Sequence, residues 1–187
     1  MAAPDQVTMK DLSGTWVMSQ SLSDPLDPSL KLQGIPWLIR RVVSWATITG
    51  RLKQAADENG TTFISIEQTA TGGIKGETET HRLDWSPVTH GSAMFGSQTV
   101  RSRWIDLKDN PKSENGTTLD HFLTEGWLDR ESPHVQVSIQ SEKGWTAEQI
   151  WGFATVQEKR YHVRKFLVRN NGEVAKAQMV YEWLERQ

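Results

Sequence analysis

The feature that most constrains the fold of this chain is a two-residue alternation of apolar and polar side chains that runs from Trp45 to Leu184. Its short runs are separated by turn residues such as Asp57-Glu58-Asn59-Gly60 and Asn170-Asn171-Gly172. Because successive side chains of a strand point to opposite faces, the pattern predicts antiparallel strands with one buried face. The predicted strands, about ten in number, cover residues 14–19, 46–53, 62–69, 74–85, 93–107, 120–129, 134–141, 146–157, 161–169 and 173–184.

A sheet of consecutive hairpins has two exposed edges unless it closes on itself, and closure into a barrel removes both edges. At 187 residues the chain has the length of a single domain. We therefore expect an all-β fold, a closed antiparallel up-and-down barrel, over residues 1–187, with a flexible N-terminus over residues 1–10. A barrel of about ten strands is wider than its own side chains fill, so the pattern also predicts a ligand cavity.

One segment between the first and second strands breaks the alternation. Pro28 fits the first turn of a short helix, Gly34 fits its end, and Pro36 fits the start of a second helix. One face of this second helix is formed by Leu38, Val42 and Trp45. The sequence therefore predicts a helix-turn-helix between residues 25 and 46.

Composition excludes several classes of function. With 21 Lys and Arg against 23 Asp and Glu, the charge is too balanced for a protein whose main partner is nucleic acid. The chain has no Cys, which removes thiolate nucleophiles and Cys-ligated zinc. Its five His show neither His-x-His nor His-x-x-x-His spacing, and no Gly-x-Ser-x-Gly elbow occurs. We therefore expect neither a metal nor any other cofactor.

No run of the sequence approaches the ~20 apolar residues of a membrane span, and residues 1–10 lack the apolar stretch of a signal peptide. We expect a cytoplasmic protein, a monomer or a homodimer, whose partner is a hydrophobic small molecule. A place in the secretory pathway would require a leader that has been removed. Only then would the Asn-Gly-Thr sequences at Asn59 and Asn115 be expected to carry glycans.

The chain has nine Trp against five Phe and two Tyr. A buried Trp removes roughly 150–250 Å² from water, so most of the nine are expected in the core. The remainder suit the walls of a pocket for a flat apolar ligand. The candidate substrate-binding residues are Trp37, Trp45, Gln68, His81, Trp104, Trp151, Phe153 and Met179.

Polar residues on strand faces that suit the lumen are the candidates for chemistry. Gln149 shares a face with Trp151 and Phe153, and Tyr181 shares a face with Met179. Because a Tyr or Gln side chain can donate a hydrogen bond to a ligand oxygen, we select Tyr181 and Gln149 as candidate catalytic residues. Purely structural roles for both remain open.

The positions of the charged residues are harder to assign. Glu79 and His81 share a strand face that the pattern leaves unoriented, so either could lie inside the barrel. The basic runs Arg101-Ser102-Arg103 and Arg164-Lys165 alternate with residues of the opposite face, and most of their charges are expected on solvated outer faces of strands.

The run Gly14-Thr15-Trp16, the helix pair after it and the long meander resemble the calycin superfamily, and within it the fatty-acid-binding-protein plan. The resemblance implies that Trp16 is structural, that the helix pair is a portal, and that Trp37 and Trp45 overlook the cavity mouth. Fatty-acid-binding proteins commonly carry Arg-x-Tyr on the last strand to hold a carboxylate. This chain has Met179-Val180-Tyr181 there, so the resemblance does not extend to a fatty-acid ligand.

The segments QTATGGIKG at residues 68–76 and GWTAEQIWGF at residues 144–153 resemble a group of small fungal proteins of this fold. The group includes the hetero-Diels–Alderases of tropolone-sesquiterpenoid biosynthesis, which join an ortho-quinone methide to a humulene-type alkene. The resemblance implies a pericyclase of secondary metabolism. Two alternatives remain open, a non-catalytic carrier of hydrophobic molecules and a lipocalin-like isomerase or hydrolase that uses a buried Glu or His.

Overall fold

A computed structural model describes residues 1–128 and 133–186, and over these residues it forms one antiparallel sheet of ten strands. The strands are β1 (Gly14–Met18), β2 (Ile48–Ala56), β3 (Thr62–Ala70), β4 (Ile74–Arg82), β5 (Val88–Ser92), β6 (Gly96–Ile105), β7 (His134–Ser141), β8 (Thr146–Val156), β9 (Lys159–Asn170) and β10 (Glu173–Glu185). Strands that are consecutive in the chain pair with each other, except β4 with β5, and β1 also pairs with β10. The predicted all-β barrel is thus confirmed in a nearly closed form.

The remaining seam lies between the two edge strands, β4 and β5. The segment between β4 and β5 contacts β6 directly: the Trp85 N–H donates to the Ser102 carbonyl oxygen at 2.8 Å. On the lumen side of the same seam, His81 Nδ1 lies 2.9 Å from Ser102 Oγ. These contacts replace a continuous strand ladder and close the lower part of the barrel.

The predicted helix pair is confirmed as α1 (Asp27–Leu32) and α2 (Trp37–Trp45), between β1 and β2. Helix α1 packs on one end of the barrel, where Leu26 and Leu32 contact a cluster that includes Trp145. Helix α2 contains no buried residue. No helix in the described part of the chain is long and apolar enough to cross a membrane.

The predicted strand over residues 120–129 is wrong in its described part, and Asp129 lies outside the described residues. Helix α3 (His121–Thr124) forms here, because the Asp120 carboxylate accepts a hydrogen bond from the Phe122 N–H at 2.9 Å and caps the first turn. Strand β5, which lies between two predicted strands, restores the count to ten.

The apolar residues pack in two layers, one inside the barrel and one outside it. The inner layer contains Trp16, Trp151 and Trp183. In the outer layer, Leu123 and Trp127 of the segment around α3 cover the outward faces of β8 and β9. These two strands are therefore buried on both faces, which explains why their apolar alternation is incomplete.

The Gly14-x-Trp16 pair closes the barrel at the end opposite the helices. The Trp16 side chain is fully buried, and its Nε1 donates to the Leu12 carbonyl at 2.9 Å. A Cβ at Gly14, whose φ is +150°, would lie 2.3 Å from the Trp183 ring, so only glycine fits there. This packing supports the structural role that the family resemblance implies for Trp16.

Residues 1–10 pack against the same end, which differs from the expected flexible N-terminus. Val7 and Met9 are almost fully buried in the inner layer. Arg160 donates to the carbonyl oxygens of Pro4 at 2.8 Å and Val7 at 2.7 Å. These few apolar residues form no run long enough to predict a strand or a helix, so the sequence carried little signal of their burial.

We expect Gly152→Ala to destabilise the protein through the contact between β8 and the outer layer. An added Cβ would lie 2.7 Å from His134 Cδ2 and 2.8 Å from Trp127 Cε3. Such overpacking should lower the free energy of unfolding by about 1–3 kcal/mol, measured by urea denaturation. The control is Gly91→Ala, another strand position, where no neighbouring atom of the described residues lies within 4 Å of an added Cβ. Equal denaturation midpoints for the two variants would contradict this packing.

Candidate functional site

The inside of the barrel carries a group of polar side chains that the strand register places on inward faces, and we call it the lumen cluster. Its members are Gln68, Glu79, His81, Ser102, Gln149, His162, Arg164 and Tyr181. Gln149 and Tyr181 face inward yet keep part of their surface exposed. Part of the surface of these two inward side chains is therefore accessible.

Arg164 on β9 lies at the centre of the cluster and is only 5% exposed. Its guanidinium carbon lies 3.9 Å from the centre of the Trp151 ring and 4.9 Å from that of Tyr181. Its Nε donates to His162 Nε2 at 3.4 Å. Within residues 1–128 and 133–186 its two terminal nitrogens have no hydrogen-bond acceptor. Buried guanidinium groups normally have all of their N–H donors paired. Because the terminal donors of Arg164 are not paired in this way, they are available to a ligand.

Glu79 on β4 supplies a negative charge to the lumen. Its Oε1 accepts a hydrogen bond from Gln68 Nε2 at 2.6 Å, and its Oε2 lies 3.6 Å from His81 Nε2. Burial alone would raise the pKa of this carboxyl group. The side chains of His81 and Gln68 and the charge of Arg164 outweigh burial and hold the pKa below its ordinary value. Glu79 is therefore ionised at neutral pH, and 45% of its side chain is accessible.

Tyr181 on β10 remains a protonated hydrogen-bond donor. Burial raises the pKa of its phenol, and the nearby charge of Glu79 acts in the same direction against the opposing charge of Arg164. The hydroxyl donates to Met179 Sδ at 3.5 Å. A thioether is a weak acceptor, so this O–H can turn to a ligand oxygen at little cost.

His162 is neutral and serves as an acceptor. Burial, together with the charge of Arg164, holds its pKa well below the ordinary value. Its Nδ1 lies 3.1 Å from the Gly152 carbonyl oxygen, which requires the proton on that nitrogen. Its Nε2 lone pair therefore faces Arg164 and fixes the guanidinium plane.

The structure brings most of the candidate residues together. Trp151 and Phe153 are buried in the inner layer, and Trp104 packs against it with its Nε1 3.3 Å from Thr62 Oγ1. Gln149 Oε1 accepts from Trp151 Nε1 at 3.0 Å. The members found around the lumen are Gln68, His81, Trp104, Gln149, Trp151, Phe153, Met179 and Tyr181.

Trp37 and Trp45 do not join this group. They lie on α2 with 64% and 75% of their surface exposed, and neither belongs to a core cluster. Among the described residues, no three His, Asp or Glu side chains are grouped closely enough to hold a metal ion.

The sequence reasoning was wrong about Arg164-Lys165, because both side chains are buried rather than solvated. Arg164 faces the lumen, whereas Lys165 lies under the outer layer, where its Nζ contacts the Glu125 carbonyl and lies 4.9 Å from the Trp127 ring. Burial lowers the pKa of Lys165. The flanking residues, which alternate between the two apolar layers, were the signal that both positions are covered.

Known proteins with similar structures support the fold, and known proteins with similar sequences support the chemistry. Among solved structures, a fatty-acid-binding protein of Schistosoma mansoni in complex with arachidonic acid has a TM-score of 0.56 at 14% identity, covering 96% of this chain and 100% of that one. A fatty-acid-binding protein from Drosophila melanogaster brain has a TM-score of 0.55 at 11% identity, covering 90% and 95%. At these identities the likeness shows the fold alone.

Sequence relatives give more information. No family model matches the chain. It is 31% identical to "Pericyclase pydY" of an Acremonium species over 98% of this chain and 97% of that protein. It is 30% identical to "Probable pericyclase scpY" of Mollisia scopiformis over 98% and 95%. The similarity spans the whole barrel, and the chain therefore belongs to the pericyclase family that these two proteins represent.

Proposed function

We propose that this protein catalyses a hetero-Diels–Alder cycloaddition between an ortho-quinone methide and a humulene-type alkene inside its barrel. The observation that carries the proposal is the buried Arg164 guanidinium, whose terminal N–H groups have no acceptor among the described residues and lie beside aromatic rings. Membership in the pericyclase family supports a pericyclic reaction in general. The particular reaction and its two substrates are the part that we propose.

The chemistry of this cycloaddition suits the residues of the lumen. The oxygen and the exocyclic carbon of the quinone methide bond to the two alkene carbons in one step, and the ring regains aromaticity. No proton or electron enters or leaves, so the reaction needs no base or covalent nucleophile. Holding the two reactants in a reactive pose can supply up to roughly 7–11 kcal/mol of the barrier.

The walls and the polar cluster have separate tasks in this proposal. Trp104, which is only partly buried, offers apolar surface to the reactants. The buried Trp151 and Phe153 pack beside it in the inner layer and help to limit the access of water to the electrophilic methide carbon. Arg164 and Tyr181 donate hydrogen bonds to the quinone-methide oxygen. Negative charge grows on this oxygen in the transition state, so donors already in place stabilise that state more than the substrate.

Glu79 and His162 keep the Arg164 guanidinium stable in the core, fixed in orientation and available to the substrate. The neutral His162 anchors Arg164 through Nε without cancelling its charge. No ion pair joins Glu79 to Arg164 within the described residues, although the two charges act on each other. The carboxylate thus offsets the cost of burying the guanidinium and leaves its terminal N–H groups free.

A proton-transferring isomerase is the second candidate, and one observation favours it. Glu79, His81 and Ser102 form a line in which His81 lies 3.6 Å from the carboxylate and 2.9 Å from the hydroxyl. Such a line could move a proton to or from a ligand. Reaction in deuterium oxide separates the candidates, since a cycloaddition leaves deuterium out of the carbon skeleton and a proton-transferring isomerisation adds it.

Arg164→Gln should lower the rate of product formation by roughly ten- to a hundredfold, because it removes a charge-assisted donor worth about 1.5–3 kcal/mol. The assay incubates the purified protein with an ortho-quinone-methide precursor and a humulene-type alkene. Product rate and stereochemistry are compared with a reaction that lacks protein. The control is Arg169→Gln, an exposed arginine of the same strand. An unchanged rate in Arg164→Gln would show that the guanidinium does not stabilise the transition state.

Tyr181→Phe should lower turnover much more than it weakens substrate binding, because the lost hydrogen bond strengthens only as charge grows. Loss of a neutral donor costs about 1–3 kcal/mol, or roughly five- to a hundredfold in rate. Phe keeps the ring that Arg164 packs against. Tyr161→Phe, in the outer layer, is the matched control. If binding and turnover fall equally, Tyr181 has only a binding role.

A further inference from the structure

The large apolar side chains that are exposed to solvent are concentrated at one end of the barrel. Of the eleven such residues in the described part of the chain, eight lie at the helix end. We call them the apolar rim, which consists of Trp37, Leu38, Ile39, Val42, Trp45, Ile74, Met94 and Val174. Monomeric proteins rarely leave so many large apolar residues exposed together, and such groups mark interaction surfaces.

The strand order places these residues around one mouth. In an up-and-down barrel every second connection lies at the same end, and Ile74, Met94 and Val174 lie in or beside three such connections. The residues after helix α2 are bound to the same end of the barrel. The Thr47 N–H donates to Oγ1 of Thr71, in the turn before β4, at 2.8 Å. The rim therefore surrounds the end of the lumen on which the helix pair lies.

Helix α2 supplies the largest part of the rim. It has nine residues and buries none of them, whereas a helix of a globular protein normally buries one face. Trp37 and Trp45 stand at its two ends, and Leu38 and Val42 lie between them, 64% and 60% exposed. An exposed amphipathic helix with Trp at its ends is typical of a segment that lies in a membrane interface.

The charges near α2 favour a lipid surface over a second copy of the chain. Arg41 and Lys75 are exposed there, and neither α2 nor the turn at residues 71–73 contains an acidic residue. Arg40 is paired with Asp27 at 3.3 Å. In a two-fold dimer through α2 the same patch would face itself, which would bring like charges together. Anionic headgroups instead complement both exposed cations of this part of the rim. The positive charge is confined to it, since the exposed Glu77 and Glu173 lie beside Met94 and Val174.

The shape of the rim points in the same direction. Its side chains project from one helix and three separate connections around a mouth. Protrusions of this kind fit a flat, fluid surface, because each side chain can enter the interface independently. We infer that the apolar rim binds the surface of an anionic lipid bilayer, with α2 lying in the interface. The inference does not depend on which reaction takes place in the lumen.

The test measures binding of the full chain to vesicles by cosedimentation, with phosphatidylcholine alone or mixed with phosphatidylserine. The wild-type chain should bind the mixed vesicles more tightly, and its Trp emission should shift to shorter wavelength. Leu38→Gln combined with Val42→Gln should weaken binding by about tenfold or more, since both side chains leave the interface. The matched control combines Leu128→Gln with Leu184→Gln, which are exposed outside the rim. Circular dichroism checks that both variants keep the native fold.

Three results would overturn the inference. The wild-type chain could fail to bind either vesicle, or the α2 variant could bind as tightly as the control variant. In the third result, the wild-type chain binds no vesicles but self-associates without lipid, and the α2 variant does not self-associate. This result would show that the rim is a dimer interface. Because no substrate is present, none of these results bears on the cycloaddition.

Discussion

The stacking of a buried guanidinium between two aromatic rings is the interaction on which the proposed chemistry depends. Removal of Arg164 from water costs several kcal/mol, and the faces of Trp151 and Tyr181 recover part of this cost through cation–π contacts of about 2 kcal/mol each when desolvated. The ionised Glu79 adds a longer-range attraction. Because this support leaves the terminal N–H groups free, the same residue can be both stable in the core and available to a ligand.

The two apolar layers explain how the barrel remains stable with a group of polar side chains inside it. The segment around α3 covers the outward faces of β8 and β9, and all side chains from Tyr161 to Val168 are buried. The strand that carries Arg164 is therefore held from both sides. Burial in the outer layer adds apolar stabilisation to that of the inner layer, which shares the inside of the barrel with the polar cluster.

Much of the fold could be predicted because turn residues and side-chain alternation are local signals. The lumen faces of β8 and β10 followed from the same alternation, which is why Gln149 and Tyr181 were placed correctly on inward faces. The error over residues 120–129 arose because Leu123 and Trp127 serve the outer layer, where apolar spacing resembles that of a strand. A single sequence does not show which layer a residue serves.

The central polar residue was missed for a related physical reason. In a basic pair such as Arg164-Lys165, the ordinary outcome is solvation of both charges. The apolar residues on both sides of the pair indicate burial, but the sequence does not show that Trp151 lies opposite Arg164, where its ring stabilises the buried charge. The exposure of α2 also escaped prediction, since the apolar face of Leu38, Val42 and Trp45 is not buried against any other described part of the chain.

The most direct test of the account is the infrared carbonyl stretch of a stable, unreactive quinonoid ketone bound in the lumen. If Arg164 donates hydrogen bonds to a ligand oxygen, the stretch should lie at lower frequency in the wild-type protein than in Arg164→Gln, since donation weakens the C=O bond. The frequency in the variant should approach that of the ketone in an apolar solvent. The same frequency in both proteins, with the ketone bound to each, would contradict the account.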